Sequence, residues 1–228
     1  MYDFIRKLEF FDWWDAGWAD KSARNLKSIQ DAWIMSELHG AEGLRIGEVG
    51  GGDSRLLHYL KERNSCVNID KFEGLGKGPK KVPEIDGIEV VQAYMGDFDE
   101  ALEDESFDVM FSVSVIEHVA DEHVNGCFKD MARVLKPGGR LLHAIDIYLY
   151  EDECVMPRID AYREAVEMPG LGLRWHTEPV IGDQTKFRCA YATNSDQQLA
   201  YACSLVPSMR EMRADMQVCS IKMAMDKE

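Results

Sequence analysis

Short hydrophobic runs alternate with amphipathic segments along the first two thirds of the chain. Four runs have the length and composition of buried strands: residues 44–49, 66–69, 88–91 and 109–111. A fifth run, residues 141–147, follows a segment whose apolar positions recur at helical spacing, namely Val124, Cys127, Phe128, Met131 and Val134. Strands and helices that alternate in this way predict an α/β fold with a mostly parallel sheet.

The first 40 residues have a helical pattern and precede the first strand. Leu26, Ile29 and Trp33 fall on one helical face, and Gly40 is placed to end that helix. Upstream lies a cluster of aromatic residues: Phe10, Phe11, Trp13, Trp14 and Trp18. We interpret residues 1–42 as a helical cap. Its aromatic side chains either pack the cap onto the sheet or form a lid over a substrate pocket.

The last third of the chain predicts further sheet elements and helices. A helix is expected at residues 158–168 and strands at 173–180 and 187–193. Residues 196–217 have a helical pattern that Pro207 interrupts. Residues 219–226 alternate strictly between apolar and polar side chains, which predicts a half-buried closing strand.

Composition narrows the class of protein. A chain of 228 residues with 46% hydrophobic residues suits one domain with a sizeable core. The net charge of −15 argues against a nucleic-acid partner, because such affinity comes mainly from Lys and Arg. The six cysteines form no C-x-x-C pair, which predicts reduced thiols and a cytoplasmic location. No signal-peptide or membrane-spanning pattern is present, so we expect a soluble protein.

The glycine-rich turn after the first strand is the clearest candidate binding motif. It reads Glu48-x-Gly50-x-Gly52-x-Ser54 and leads into Leu56, Leu57, Tyr59 and Leu60, the predicted buried face of a helix. Glycines let a backbone approach a ligand closely, and the helix N-terminus offers free N–H groups. A dinucleotide fingerprint would need a third glycine where Arg55 stands, so an NAD-dependent oxidoreductase is disfavoured.

The second predicted strand ends in an acid, Asp70, one strand–helix–strand repeat after Glu48. In nucleotide-binding sheets an acid at this position accepts hydrogen bonds from a ribose diol. The alternative is that Asp70 is a surface acid at the end of a strand and has no role in binding. A loop with four lysines follows at residues 71–81. These lysines either hold an anionic part of a substrate or are simply solvated.

The chain resembles the class I S-adenosylmethionine (SAM) dependent methyltransferases, in particular their type 11 group. The glycine turn resembles their first motif, with Ser54 in place of its last glycine. Residues 107–119, FDVMFSVSVIEHV, are similar to the group's F-D-x-V-x-S-x-x-V-L-E-H-V, and LKPGG at residues 135–139 is also characteristic. The resemblance implies a Rossmann-like, doubly wound, seven-stranded sheet with an antiparallel C-terminal strand. Residues 43–148 would form the SAM-binding core of a single domain, and residues 149–228 would complete the sheet and the substrate side.

The resemblance also implies the residues that contact SAM. In such a protein Asp97 accepts from the adenine amine, the next backbone N–H meets a ring nitrogen, and Phe98 lies against the ring. The full set of candidate cofactor contacts is Glu48, Gly50, Gly51, Gly52, Asp70, Lys71, Asp97, Phe98 and Ser112.

Methyl transfer from a sulfonium needs mainly alignment, and a base only for a hydroxyl or protonated amine. His118 is the candidate general base, because it follows the fourth strand; a helix-capping role is the alternative. The other histidines near strands are His143 and His176. A metal held by His143, Asp146 and the acids of residues 151–153 is disfavoured by the loose spacing.

We expect a small-molecule acceptor, such as a saccharide or another metabolite. The alternative is a non-catalytic SAM-binding partner or regulatory protein.

Overall fold

The computed structural model describes residues 1–18, 26–74, 78–150, 153–182 and 217–228. Its helices are α1 (Lys7–Asp15), α2 (Leu26–Leu38), α3 (Leu57–Leu60), α4 (Asp121–Val134) and α5 (Ile159–Val166), with a 3-10 turn at Ile116–His118. Its strands are β1 (Tyr2–Phe4), β2 (Arg45–Val49), β3 (Ser65–Ile69), β4 (Ile88–Val91), β5 (Phe107–Val113), β6 (Leu135–Tyr150), β7 (Glu153–Met156), β8 (Leu173–Trp175) and β9 (Gln217–Lys227).

The strands form one sheet in the order β1-β9-β6-β5-β2-β3-β4, with β7 paired to β6 and β8 paired to β9. The run from β6 to β4 is parallel, and β9 is antiparallel to β6. The predicted Rossmann-like α/β architecture with an antiparallel C-terminal strand is therefore confirmed. The described strands number nine rather than the predicted seven.

The outer edge of β9 explains part of this difference, because two short strands lie end to end along it. Strand β8 pairs with β9 at Lys227, Asp226 and Met225, and β1 pairs with the next stretch, from Met223 to Ile221. The first residues of the chain are thus a strand and not part of a helical cap. Tyr2 is buried there because its ring stacks on Trp175, with ring centroids 5.2 Å apart, and its hydroxyl donates to the Ile159 carbonyl at 2.6 Å.

Strand β9 is covered on both faces, so the prediction of a half-buried strand is wrong. Its polar residues Ser220 and Lys222 are buried as well, because each has a partner from the cap. Ser220 Oγ accepts a hydrogen bond from Gln30 of α2 at 2.8 Å, and Lys222 pairs with Glu9 of α1. Ser220 and Lys222 therefore face the cap helices and not solvent.

Helices cover both faces of the sheet. On one face, Phe128 and Met131 of α4 and Tyr162 of α5 pack against β5 and β6. On the other face, Trp13 of α1 and Trp33 of α2 join the core, which supports the packing interpretation of the aromatic cap. Gly40 lies in a turn just after α2, but the glycine with positive φ in this connection is Gly43, at +71°.

Several predicted elements have different lengths in the structure. Helix α3 is a single turn, and Tyr59 is 70% exposed although its neighbours Leu57 and Leu60 are buried. The pairing of β5 with β6 passes directly from Leu135 to Arg140, so the PGG segment loops out of the ladder. Strand β8 covers only the start of the predicted strand at 173–180. The predicted elements at 187–193 and 196–217 lie outside the described residues, except that Gln217 is the first residue of β9.

The structure also bears on the predictions of reduced thiols and of no membrane-spanning segment. Among the described residues, Cys66, Cys127, Cys154 and Cys219 are free thiols. No helix in the described ranges is long and apolar enough to cross a membrane.

Candidate active site

Parallel strands β4, β3, β2 and β5 present their C-terminal ends at one edge of the sheet, where open α/β sheets bind ligands. The segments that follow these strands meet there in the same order. They are the Gly96–Phe98 turn after β4, Asp70 after β3, the glycine turn after β2 and Ser114 after β5. The structure therefore assembles most of the predicted site residues along one line.

The glycine turn is tied to the neighbouring strand by backbone hydrogen bonds. Gly50, with φ of +65°, donates its N–H to the Ile69 carbonyl at 2.8 Å. A Cβ at Gly50 would lie only 2.6 Å from Val115 Cγ2, so both its conformation and its surroundings require glycine. Gly51 also fits closely, because a Cβ there would lie 2.5 Å from Asn68 Oδ1.

Glu48 supports the glycine turn from inside the protein. It is 5% exposed and accepts a hydrogen bond from Ser54 Oγ, which also accepts the N–H of Leu57 at 3.0 Å. Burial raises the pKa of Glu48 to about 8, and the bond from Ser54 only partly offsets this. Glu48 is thus mostly neutral at pH 7. The helix N-terminus expected here is short, since α3 is one turn long, and its Leu57 N–H is already bound to Ser54 Oγ.

Asp70 lies directly against the glycine turn. Its Oδ2 accepts the Gly52 N–H at 3.0 Å, and its Oδ1 accepts the Phe72 N–H at 2.7 Å. A carboxylate offers about four lone-pair sites, so each oxygen retains room for a further donor. The sequence did not single out Asn68, whose Nδ2 donates to the Gly52 carbonyl at 2.7 Å and ties the turn to β3.

The Gly96–Phe98 turn is held by a buried carboxylate that sequence reasoning missed. Asp130 of α4 accepts the N–H of Gly96 at 2.7 Å and that of Phe98 at 3.1 Å, and it pairs with Arg133 at 2.8 Å. The Phe98 N–H is therefore not free to meet an adenine nitrogen, and this part of the prediction is wrong. The side chains of Asp97 and Phe98 are exposed at the edge.

The lysine loop reaches the site through its described residues. Lys71 is half-buried, with its Nζ 5.5 Å from the centroid of the Tyr94 ring. Tyr94 in turn donates to Glu73 at 2.8 Å. Pro79 lies over the glycine turn, since a Cβ at Gly52 would be 3.1 Å from its Cδ. The described parts of residues 71–81 form no helix, as their glycines and proline predicted.

Ser112 lies in the core and not at the ligand edge, so its predicted cofactor contact is wrong. Its Oγ is 2.8 Å from His143 Nδ1, and both residues are fully buried between the sheet and α4. His143 packs edge-on against Phe128, with ring centroids 5.7 Å apart. His143 is therefore not a candidate base, because its side chain is buried and lies away from the ligand edge.

Burial lowers the pKa of His143 to about 3, which leads to a prediction for stability. Below its unfolded pKa of about 6.5, the unfolded chain binds a proton that the folded protein rejects. Stability therefore falls with pH by about 1.4 kcal/mol per unit from roughly 6.5 down to the folded value. In His143→Gln, the glutamine keeps a partner for Ser112 but does not titrate. We expect the free energy of unfolding of this variant, relative to that of wild type, to rise by about 2 kcal/mol from pH 7.5 to pH 5.

The measurement is urea unfolding of both proteins at the two pH values. Glu48 acts in the opposite direction, since a raised pKa costs stability as pH rises from about 4.5 to 8, but it is common to both proteins. Only the difference between the two unfolding free energies is therefore compared. A difference that does not change with pH would show that His143 is protonated in the folded protein.

His118 is the one candidate base that the structure places at the ligand edge. It ends the 3-10 turn after β5 and its side chain is exposed, yet the protein around it removes enough solvent to lower its pKa. The charge of Asp146 offsets this only in part. His176 is bound instead to Asp226 at 2.9 Å, at the opposite edge of the sheet. Within the described residues, no three His, Cys, Asp or Glu side chains are arranged to hold a metal.

Helix α2 contributes a residue that nothing in the sequence indicated. Gln30 is fully buried and donates through Nε2 to Asp146 Oδ1 at 2.7 Å. It is 116 residues away from Asp146 in the chain. No local motif connects two such positions, and only the tertiary packing of the cap brings them together.

Comparison with known proteins shows what this chain is similar to. Residues 47–143 match the model of a family described as a methyltransferase domain. A ubiquinone biosynthesis O-methyltransferase from Alkalilimnicola ehrlichii is 30% identical over 138 residues, which cover 57% of this chain and 53% of that protein. One from Maricaulis maris is 27% identical over 145 residues, covering 58% and 56%. The chain thus spans about half the length of these curated relatives.

Solved structures share the fold. A protein assigned as a sarcosine dimethylglycine methyltransferase from Galdieria sulphuraria superposes with a TM-score of 0.59, at 16% identity and 97% coverage of both chains. The geranyl diphosphate C-methyltransferase of Streptomyces coelicolor, solved with S-adenosyl-L-homocysteine, gives 0.53 at 13% identity, covering 87% of this chain and 79% of that one. The fold is that of the class I SAM-dependent methyltransferases. Residues 47–143 match the methyltransferase-domain model, and the predicted resemblance is confirmed.

Proposed function

We propose that this protein transfers a methyl group from SAM to a hydroxyl group of a small molecule. The observation that carries the proposal is the contact of Asp70 with the glycine turn, at 3.0 Å from the Gly52 N–H, on the ligand edge of a methyltransferase fold. The contact fixes a carboxylate beside a glycine turn whose backbone a ligand can approach closely. Its remaining lone pairs suit the two hydroxyls of a ribose.

The residues at this edge fit SAM in part. The Gly50–Gly52 turn and Asp70 would hold the ribose and the adjoining methionine chain, with Glu48 supporting the turn from inside. Adenine recognition would rest on the exposed side chains of Asp97 and Phe98, since the Phe98 N–H already binds Asp130. SAM supplies a methyl group on a positively charged sulfur, which is already activated for transfer. The protein then has to align the acceptor and exclude water.

The hydroxyl class of acceptor has two supports. The curated relatives are named as O-methyltransferases. In addition, the lowered pKa of His118 keeps its imidazole neutral near pH 7, so it is able to take the proton that a hydroxyl releases on methylation. A saccharide is one acceptor of this class, and no contact in the described residues favours it over a phenol.

The remaining expectations about partners and location belong to the same proposal. A charge of −15 supports a small molecule over nucleic acid as the acceptor. Free thiols at the four described cysteines support action in a reducing compartment such as the cytoplasm.

The test is transfer of an isotope-labelled methyl group. The purified protein is incubated with methyl-labelled SAM and a metabolite extract, and labelled products are separated and identified. We expect label in an ether bond of a small molecule, and no label when Asp70→Ala replaces wild type. SAM binding without any labelled product would instead identify a non-catalytic SAM-binding protein. Label confined to RNA or DNA would contradict the small-molecule acceptor.

A further inference from the structure

A polar network joins the cap helix α2 to the ends of β5 and β6. Asp146 Oδ1 accepts from Gln30 Nε2 at 2.7 Å and lies 2.9 Å from Ser114 Oγ. Ser114 Oγ is also 2.8 Å from Gln30 Oε1, and Gln30 is anchored to Ser220 Oγ at 2.8 Å. One oxygen of Asp146 is thus held by the protein. Among the described residues, no hydrogen bond reaches the other oxygen, Oδ2, of this half-buried side chain.

This network begins directly beside the glycine turn. Val115 packs against Gly50, where an added Cβ would lie 2.6 Å from its Cγ2, and the preceding residue is Ser114. Strand β5 also separates β2 from β6 in the sheet. If Asp70, on the β3 side, binds the ribose, the methionine end of SAM points the other way, toward Ser114 and Asp146. Asp146 therefore lies on the side of the site where the methyl group is transferred.

A second carboxyl group, that of Glu117, lies close enough to Asp146 for the charge of Asp146 to act on it. Both oxygens of Glu117 are buried, and no described residue hydrogen-bonds them. Burial, together with the nearby charge of Asp146, holds the pKa of Glu117 well above its usual range. A fully buried carboxyl without a partner is costly in a fold, so its retention beside an open carboxylate points to a ligand.

We propose that Asp146 and Glu117 form the acceptor subsite, in which Asp146 binds a donor group of the acceptor beside the nucleophilic hydroxyl and selects acceptors that carry no negative charge. The proposal rests on the proposed function and names its acceptor class: a neutral or cationic hydroxyl compound. A second hydroxyl or an ammonium group of the acceptor donates to the open oxygen of Asp146, while Gln30 and Ser114 hold the carboxylate in place. The proton of the hydroxyl that is methylated passes to His118. An anionic acceptor is disfavoured, because its charge would meet that of Asp146 in a partly dehydrated site.

The proposal can be tested without knowing the acceptor. Sinefungin resembles SAM but carries an ammonium group where SAM has its methyl-bearing sulfonium, whereas S-adenosyl-L-homocysteine has only a neutral sulfur there. We expect the wild type to bind sinefungin about tenfold more tightly than S-adenosyl-L-homocysteine, the smallest gain that a charge-assisted hydrogen bond gives. Asp146→Asn should remove most of this preference and change S-adenosyl-L-homocysteine affinity by less than about twofold.

The matched control is Asp226→Asn, which removes a half-buried carboxylate of the same sheet at its opposite edge. Asp226 is bound there by Arg140 at 3.3 Å and His176 at 2.9 Å. The control should leave the ratio of the two affinities unchanged, with folding of each variant checked by circular dichroism. A wild type without the preference, or an Asp146→Asn variant that loses both ligands equally, would overturn the acceptor subsite. Failure of the wild type to bind SAM, sinefungin and S-adenosyl-L-homocysteine alike would instead contradict the proposed function.

Discussion

Replacing Asp70 by alanine should weaken SAM binding by about a hundredfold or more while the protein remains folded. A hydrogen bond to a charged group is worth about 1.5–3 kcal/mol, and a ribose diol makes two of them. At 1.4 kcal/mol per factor of ten, their loss gives at least this effect. The alanine also releases the N–H groups of Gly52 and Phe72, which Asp70 now holds. The glycine turn therefore loses part of its preorganisation as well.

The measurement is calorimetric titration of SAM into wild type and variant, with circular dichroism to confirm the fold. Asp70→Glu should retain part of the affinity, because the charge is kept although the reach changes. Asp86→Ala serves as the control, since Asp86 is an exposed acid in the loop before β4. Unchanged affinity in a folded Asp70→Ala protein would show that SAM does not bind along this edge.

His118→Ala should lower kcat by roughly 10²–10⁴, as expected for removal of a general base, while SAM affinity stays within about twofold. The acceptor for this assay is the one identified by methyl labelling. Since the pKa of His118 is lowered, the imidazole is neutral at pH 7, and wild-type kcat should be flat there and fall on acidification below the imidazole pKa. The variant should lose this acid limb together with its rate.

The matched control is His58→Ala, because His58 is exposed on the one-turn helix α3. Its kcat and pH profile should follow the wild type. A loss smaller than about fivefold in His118→Ala, with the acid limb retained, would return His118 to a capping or positioning role. The proton would then have to pass to another group, of which Asp146 is a candidate because its charge acts on His118.

Some of the candidate site could be read from local sequence because it consists of neighbours along the chain. The glycine turn is a run of consecutive residues, and Asp70 follows a strand by one position. In a parallel sheet, residues just after consecutive strands reach the same edge, so their proximity follows from the order of elements alone. His118 was found in the same way, directly after β5.

The predictions that were wrong depend on which face of a strand or turn is covered, and on which distant element covers it. Ser112 belongs to a matching motif, but its position in β5 turns it toward His143 and α4. The Phe98 N–H was expected to be free, yet Asp130 of α4, 32 positions along the chain, accepts it. A side chain that arrives from a distant helix leaves no trace in the local pattern.

By itself, the sequence determined the α/β class, the five parallel strands and the glycine turn with its acid. Buried parallel strands need near-continuous apolar runs, and turns need glycine, so both leave local signals. Only the tertiary structure decided that Tyr2–Phe4 extends the sheet, that β9 is covered on both faces, and that Gln30 meets Ser114 and Asp146. These features arise from contacts between distant segments, where packing outweighs the intrinsic preference of either one.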